Sequence, residues 1–313
     1  MELKPDFRLT SVSKPVQHQL ADPYDPIDVL LGTWKGHGFN QIWRPFFGGP
    51  PGQDRFLELN ETNETLEFEK IPGEIPNRGL LQADINLHGI RYLQAIQDAH
   101  ALGPNGQQNP GIHIENGMWL TVPADNTANP PKTIARMGSI PHGTSILAQG
   151  TKLGVIAGPP PFAVADITPF AIGNPGGLVP FPESKLAIPT AFRTSLADIP
   201  NVTQAMVDNP NTGLANAIAG LNITSTTTFK ISTIPLNPPP SGGGTSNISF
   251  LQGAAGGPNA QSVEIDAIFW IETVTNPDGT KKTLLQYSQR VLLNFNGLSW
   301  PHISVATLEK QPG

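Results

Sequence analysis

The closing segment Trp300-Pro301-His302-Ile303-Ser304-Val305-Ala306-Thr307-Leu308-Glu309-Lys310 alternates along its length. His302, Ser304, Ala306 and Leu308 share one face, and Ile303, Val305 and Thr307 share the other, a period of two that fits a β-strand. A histidine leads the first face and two small residues follow it, which leaves room beside the imidazole. The segment Gly32-Thr33-Trp34-Lys35-Gly36-His37-Gly38 is its counterpart near the start of the chain. Trp34, Gly36 and Gly38 share a face, where missing side chains permit strong curvature or the close approach of a ligand. Together the two ends predict a closed barrel with a ligand cavity and a histidine inside it.

The chain has 313 residues, of which 38% are hydrophobic and 14% charged, enough apolar material for a sizeable core. Its 32 glycines and 33 prolines imply many turns and long irregular loops. A net charge of -6 offers no electrostatic footprint for nucleic acid or an anionic membrane. The absence of cysteine excludes disulfides, thiolate-bound zinc, iron–sulfur clusters and a thiolate-ligated haem. Met1-Glu2-Leu3-Lys4-Pro5-Asp6 lacks an apolar signal core, and no stretch reaches the length of a membrane span, so a cytoplasmic protein is expected.

Residues 1–24 read as an arm. Asp25 to Gly32 reads as a short helix, with Asp25 as N-cap, Pro26 first and Gly32 at the stop, able to plug one end of a barrel. Strands are expected over 33–44, within 55–71, 79–97, 111–122 and 132–152, from Thr226 to Ile234, and over 262–274, 283–295 and 300–310. Asn60-Glu61-Thr62-Asn63-Glu64 reads as a hairpin turn splitting 55–71, and Asn276-Pro277-Asp278-Gly279 as a second turn. The Pro/Gly-rich stretches 158–225 and 236–260, with helix candidates at 203–208 and 213–221, read as insertions into one domain spanning 1–313. The expected fold is all-β: a closed, antiparallel, up-and-down barrel of about ten strands, with long loops and short helices.

His302 on spacing alone is open to two readings, a packed core residue or a ligand. His113 in Ile112-His113-Ile114-Glu115 shares a face with Glu115, a pairing suited to acid–base work or to a solvated surface. His142 stands beside a turn in Pro141-His142-Gly143. Arg136 is placed only by its strand. No nucleophile elbow, P-loop, dinucleotide fingerprint or HExxH motif is present.

Four segments in order resemble nitrobindin and its relatives, haem-binding barrels of fatty-acid-binding-protein shape. They are Leu30 to Gly38; Arg91-Tyr92-Leu93-Gln94 with Ile112 to Trp119; Ile140 to Gly150; and Tyr287 to Val291 with Trp300 to Lys310. The resemblance implies haem b as cofactor. It makes His302 the proximal iron ligand and places His113 on the distal side, with His113 and His142 as catalytic candidates. It also implies cofactor contacts from Trp34, Gly36, Gly38, His113, Trp119, Ser304 and Ala306. The implied activity is binding of nitric oxide, conversion of peroxynitrite, or peroxidase-like turnover. The alternative is a haem-free carrier of a fatty acid or other apolar molecule. A small-molecule ligand is expected, without nucleic-acid or membrane partners, and the oligomeric state stays open between monomer and homodimer. The stretches 158–225 and 236–260 fall outside the resemblance, and His142 stands where relatives usually carry a small polar residue.

Overall fold

A computed structural model describes residues 22–103, 105–124, 132–236 and 241–313. Most of the expected N-terminal arm, residues 1–21, lies outside the described residues. Among those described, thirteen strands follow in chain order: β1 (Gly32–Pro45), β2 (Arg55–Lys70), β3 (Ile75–Asn77), β4 (Ile85–Asp98), β5 (Gly111–Val122), β6 (Thr133–Ile140), β7 (Thr144–Ile156), β8 (Phe170–Ala171), β9 (Ile223–Ser232), β10 (Gly242–Asn247), β11 (Gln261–Thr275), β12 (Lys281–Phe295) and β13 (Leu298–Lys310). Three short helices accompany them: α1 (Gln204–Asp208), α2 (Asn211–Ala217) and α3 (Ser249–Gln252).

Ten strands close the barrel in the order β1-β2-β4-β5-β6-β7-β9-β11-β12-β13, and β13 pairs back onto β1. Every neighbour is antiparallel and follows in sequence order around the ring, which is the expected up-and-down meander. Closure removes the exposed edges that an open sheet would present. The β1–β13 register sets Gly38 opposite Ala306, Asn40 opposite Ser304 and Ile42 opposite His302, so the two ends of the sequence form one seam.

Two expectations are corrected. Asn60 to Glu64 is no turn: β2 runs unbroken from Arg55 to Lys70, pairing with β1 along its length. Asn60, Thr62 and Glu64 alternate onto the inner face and are buried there, so their polarity signals an internal network and not a loop. The first helical turn spans Ile27–Leu30 with no side-chain cap, later than Asp25 and Pro26 suggested. Its role is as expected. Ile27 and Leu30 are buried in the barrel-floor cluster, and Trp34 Nε1 donates to the Leu30 carbonyl at 2.7 Å.

The two Pro/Gly-rich stretches have different positions. Residues 158–222 lie against the outside of the barrel. Phe39, Trp43, Leu57, Leu59, Ile303 and Val305 project outward and pack with Ile167, Ile199, Val207 and Leu214 from this stretch. Each buried cluster that holds residues of the stretch also holds barrel strands, so one continuous body results. Barrel side chains cap its backbone: Gln41 Nε2 donates to Val207 O at 2.9 Å, Trp43 Nε1 to Ile167 O at 3.0 Å and Gln286 Nε2 to Leu214 O at 3.0 Å. Carbonyls near the ends of α1 and α2, which would otherwise be buried unpaired, are thus satisfied. The second stretch enters the wall itself. β9 pairs with β7 only from Gln149 onward, and β10 takes over from Gln149 back to Thr144.

Glu272 on β11 breaks the pattern of satisfied polar groups. It lies on the outer face between Trp270 and Val274, is completely buried, and neither carboxyl oxygen has a hydrogen-bond partner among the described residues. Burial pushes its pKa up to about 8. From the unfolded carboxylate range, about 4.3, to about 8 the folded chain keeps a proton that the unfolded chain loses, so stability falls as pH rises through this window. Glu272→Met, similar in shape and uncharged, removes this contribution. Urea unfolding at pH 5 and pH 8 should show the wild type losing on the order of 3 kcal/mol more than the variant across that interval. Equal losses would contradict a buried neutral carboxyl.

Candidate functional site

The barrel interior is arranged in three tiers. The floor is apolar: Trp34, Leu66, Phe68, Ile90, Trp119, Ile134, Phe269, Leu285, Ala306 and Leu308 pack over the Ile27–Leu30 plug. Trp119 meets Phe269 edge to face at 5.1 Å between ring centroids.

Above the floor lies a polar tier. Arg136 is buried, with its guanidinium carbon 5.4 Å from the Tyr92 ring centre and 5.9 Å from that of Trp119. Its three nitrogens are all engaged: Nε donates to Tyr92 Oη at 3.1 Å, one terminal nitrogen to Gln289 Oε1 at 2.6 Å and the other to Glu115 Oε1 at 2.7 Å. The Tyr92 hydroxyl also donates to Glu115. Burial alone would raise the Glu115 pKa, but Arg136, with Tyr92 and His113 close by, holds it down at about 2. Across the barrel Glu64 accepts from Tyr287 Oη at 2.6 Å, from Thr62 Oγ1 at 2.8 Å and from Gln94 Nε2 at 3.4 Å. None of these partners carries a charge. Burial outweighs the hydrogen bonds, and the Glu64 pKa is raised.

Glycines make room for these carboxylates. A Cβ at Gly38 would stand 2.6 Å from Glu64 Oε1 and 2.7 Å from Thr62 Oγ1. At Gly138 it would stand 2.5 Å from both Glu115 Oε1 and Tyr92 Oη.

The third tier is a cavity of about 310 Å³ at the open end of the barrel. Ile42, Ile96, Ile112, Ile140, Val291 and Leu293 give it apolar walls, and Leu251, Ala260 and Ser262 from the second Pro/Gly-rich stretch and the start of β11 close over it. Gln94, Tyr287 and Gln289 of the polar tier form its inner end, and the Arg44–Glu58 ion pair, 2.6 Å, stands among its outer residues.

His302, His113 and His142 all line this cavity. His302 Nε2 lies 2.6 Å from Asn40 Oδ1, which also accepts from Ser304 Oγ at 2.8 Å. Asn40 Nδ2 donates to Asn60 Oδ1 at 3.1 Å, and Asn60 Nδ2 donates to Asp98 Oδ2 at 2.8 Å. An amide oxygen only accepts, so this chain assigns the His302 proton to Nε2 and leaves the lone pair on Nδ1. Burial, reinforced by His113 and His142, lowers the His302 pKa to about 3, so the ring is neutral. His113 and His142 pack with ring centroids 5.5 Å apart. His113 Nε2 stands 3.7 Å from Glu115 Oε2, an electrostatic contact and not a hydrogen bond. The His142 pKa is lowered by burial and by His113.

Of the residues singled out in the sequence, His113, His142, His302 and Ser304 meet in the cavity. Trp34, Trp119 and Ala306 instead belong to the floor, and Gly36 and Gly38 flank the polar tier, so these five do not line the cavity. Asn40, Gln94, Tyr287 and Gln289 are additional lining residues. Their signal was available as period-two continuation from the glycine motif and from Leu285, but polar residues on a strand read equally as a solvated face.

Among the described residues no group of three or more His, Asp or Glu is placed to hold a bare metal ion. A single neutral imidazole with its other nitrogen hydrogen-bonded is, however, able to ligate a metal. With Nε2 held by Asn40, Nδ1 is the nitrogen of His302 left to act as a donor to a cofactor's iron. No family model, curated protein or solved structure matches the chain.

The Arg136–Glu115 pair gives a direct test. Arg136→Met leaves a buried carboxylate without its cation and should cost about 3–5 kcal/mol in chemical denaturation. Adding Glu115→Gln should recover a large part of that loss, because the two residues share one network. Strictly additive losses would show that the tier is not coupled.

Proposed function

We propose that the protein binds haem b in the cavity, with His302 as the residue that would hold its iron. The supporting observation is that one buried, neutral histidine, oriented by Asn40, shares an apolar cavity with His113 and His142. Iron bound there would supply a Lewis-acidic, redox-active centre. His302 offers Nδ1 as the donor while Asn40 holds Nε2–H, the outer-shell role that fixes a ligand's tautomer. His113 and His142 are the groups able to donate a hydrogen bond to a small ligand such as nitric oxide or peroxide, or to move its proton. Ile42, Ile96, Ile112, Ile140 and Val291 exclude water. Peroxynitrite conversion or peroxidase-like turnover is the activity that the resemblance would attach to such a site.

A second reading is favoured by the cavity volume. At about 310 Å³ it sits at the lower end of the roughly 300–1,000 Å³ typical of ligand pockets, which suits a guest smaller than a tetrapyrrole. On this reading the protein is a haem-free carrier of a small apolar molecule.

Optical titration separates the two. Adding haem to the apo-protein should produce a saturable Soret band at one equivalent, and His302→Ala should abolish or shift it. Asn40→Leu should keep the band while weakening affinity about 10–100-fold, the usual cost of losing an outer-shell partner. A protein that stays colourless with haem, or a His302→Ala spectrum identical to wild type, would remove the haem reading.

A further inference from the structure

We propose that the inner end of the cavity accepts uncharged guests with a hydroxyl or carbonyl group and rejects carboxylates. The inference rests on the cavity being a ligand site, as both readings above require, and adds the class of guest.

The charges around the inner end carry it. Two buried acids stand directly behind the lining. Glu64 contacts Tyr287 and Gln94, and Glu115 stands 3.7 Å from the His113 ring. The nearest cation, Arg136, is not among the lining residues and is paired with Glu115 at 2.7 Å. His302 is neutral and donates Nε2–H to Asn40. The one arginine among the lining residues, Arg44, lies toward the solvent and is paired with Glu58. A carboxylate pushed inward would lose its hydration and meet no unpaired arginine or lysine among the described residues, and an unpaired buried charge is costly.

The inner end still offers polar contacts. Gln289 uses its amide oxygen for Arg136 and Gln94 uses its amide nitrogen for Tyr287 and Glu64. One amide donor on Gln289 and one amide acceptor on Gln94 therefore remain uncommitted among the described residues. These suit a hydroxyl, which both donates and accepts. The isoleucine-rich walls further out suit the apolar remainder of the guest. The ordinary expectation for a barrel of fatty-acid-binding shape, capture of a fatty acid by its carboxylate, is thus not met by the charges present.

The test compares hexanol with hexanoate, which share a chain and differ in the head group, by calorimetry on the full-length haem-free protein at pH 8. Hexanol should bind at least about tenfold more tightly, a difference of about 1.4 kcal/mol. Equal or tighter binding of hexanoate overturns the proposal. Binding of neither probe by a protein that still takes up haem overturns it too, while leaving the cavity itself as a ligand site. Binding of neither probe and no haem removes the underlying site.

Discussion

The buried contact between Arg136 and Glu115 divides this barrel into a part that packs and a part that binds. A barrel of ten strands has an interior too wide to be filled by one apolar layer, and here it is filled in two ways. Below Arg136, aromatic and aliphatic side chains pack onto the Ile27–Leu30 plug. Above it, the cavity begins. The guanidinium lies over the rings of Tyr92, Trp119 and Phe269 and presents its nitrogens to Glu115, Tyr92 and Gln289. One side chain thereby closes the floor and fixes three groups at or beside the inner end of the cavity. A buried pair of this kind does not stabilise a fold merely by being present, since desolvation offsets much of the attraction. Its worth lies in what it positions.

The seam between the two ends of the chain has a similar logic. Asn40 comes from β1 and His302 from β13, and they meet because the strands that close the barrel are neighbours. The tautomer of His302 is therefore set by closure of the fold. Asn60 and Asp98 extend the chain of hydrogen bonds across β2 to β4, so the ring is held from three strands away. Outside the same seam, Ile303 and Val305 pack under the 158–222 stretch. The strand that carries His302 is consequently covered on both faces.

The meander was legible because strands with one buried face alternate, and the Asn276 to Gly279 turn carries its own local chemistry. The meeting of His302, His113 and His142 in one cavity was not legible from spacing; only the resemblance to the haem-binding barrels implied it. The failures share a physical cause. Thr62 and Glu64 looked like a turn because polar residues in a strand usually face water, whereas here they form an internal network. The same bias hid Asn40, Gln94, Tyr287 and Gln289. Gly38 read as clearance for a ligand, but the space it leaves is occupied by Glu64 and Thr62. Trp34 and Trp119 share the inward face with the cavity residues and lie further down it, and periodicity records the face without recording the depth.

The account depends most on the state of the His302 ring. Nitrogen NMR of selectively labelled histidine in the haem-free protein reports charge and tautomer for each ring directly. His302 should remain neutral, with its proton on Nε2, down to about pH 4, since its pKa lies near 3. In Asn40→Leu the tautomer preference should be lost while the ring stays neutral. A His302 that takes up a proton near the ordinary histidine value of about 6.5, or that carries its proton on Nδ1 in the wild type, would contradict the arrangement on which the proposed site is built.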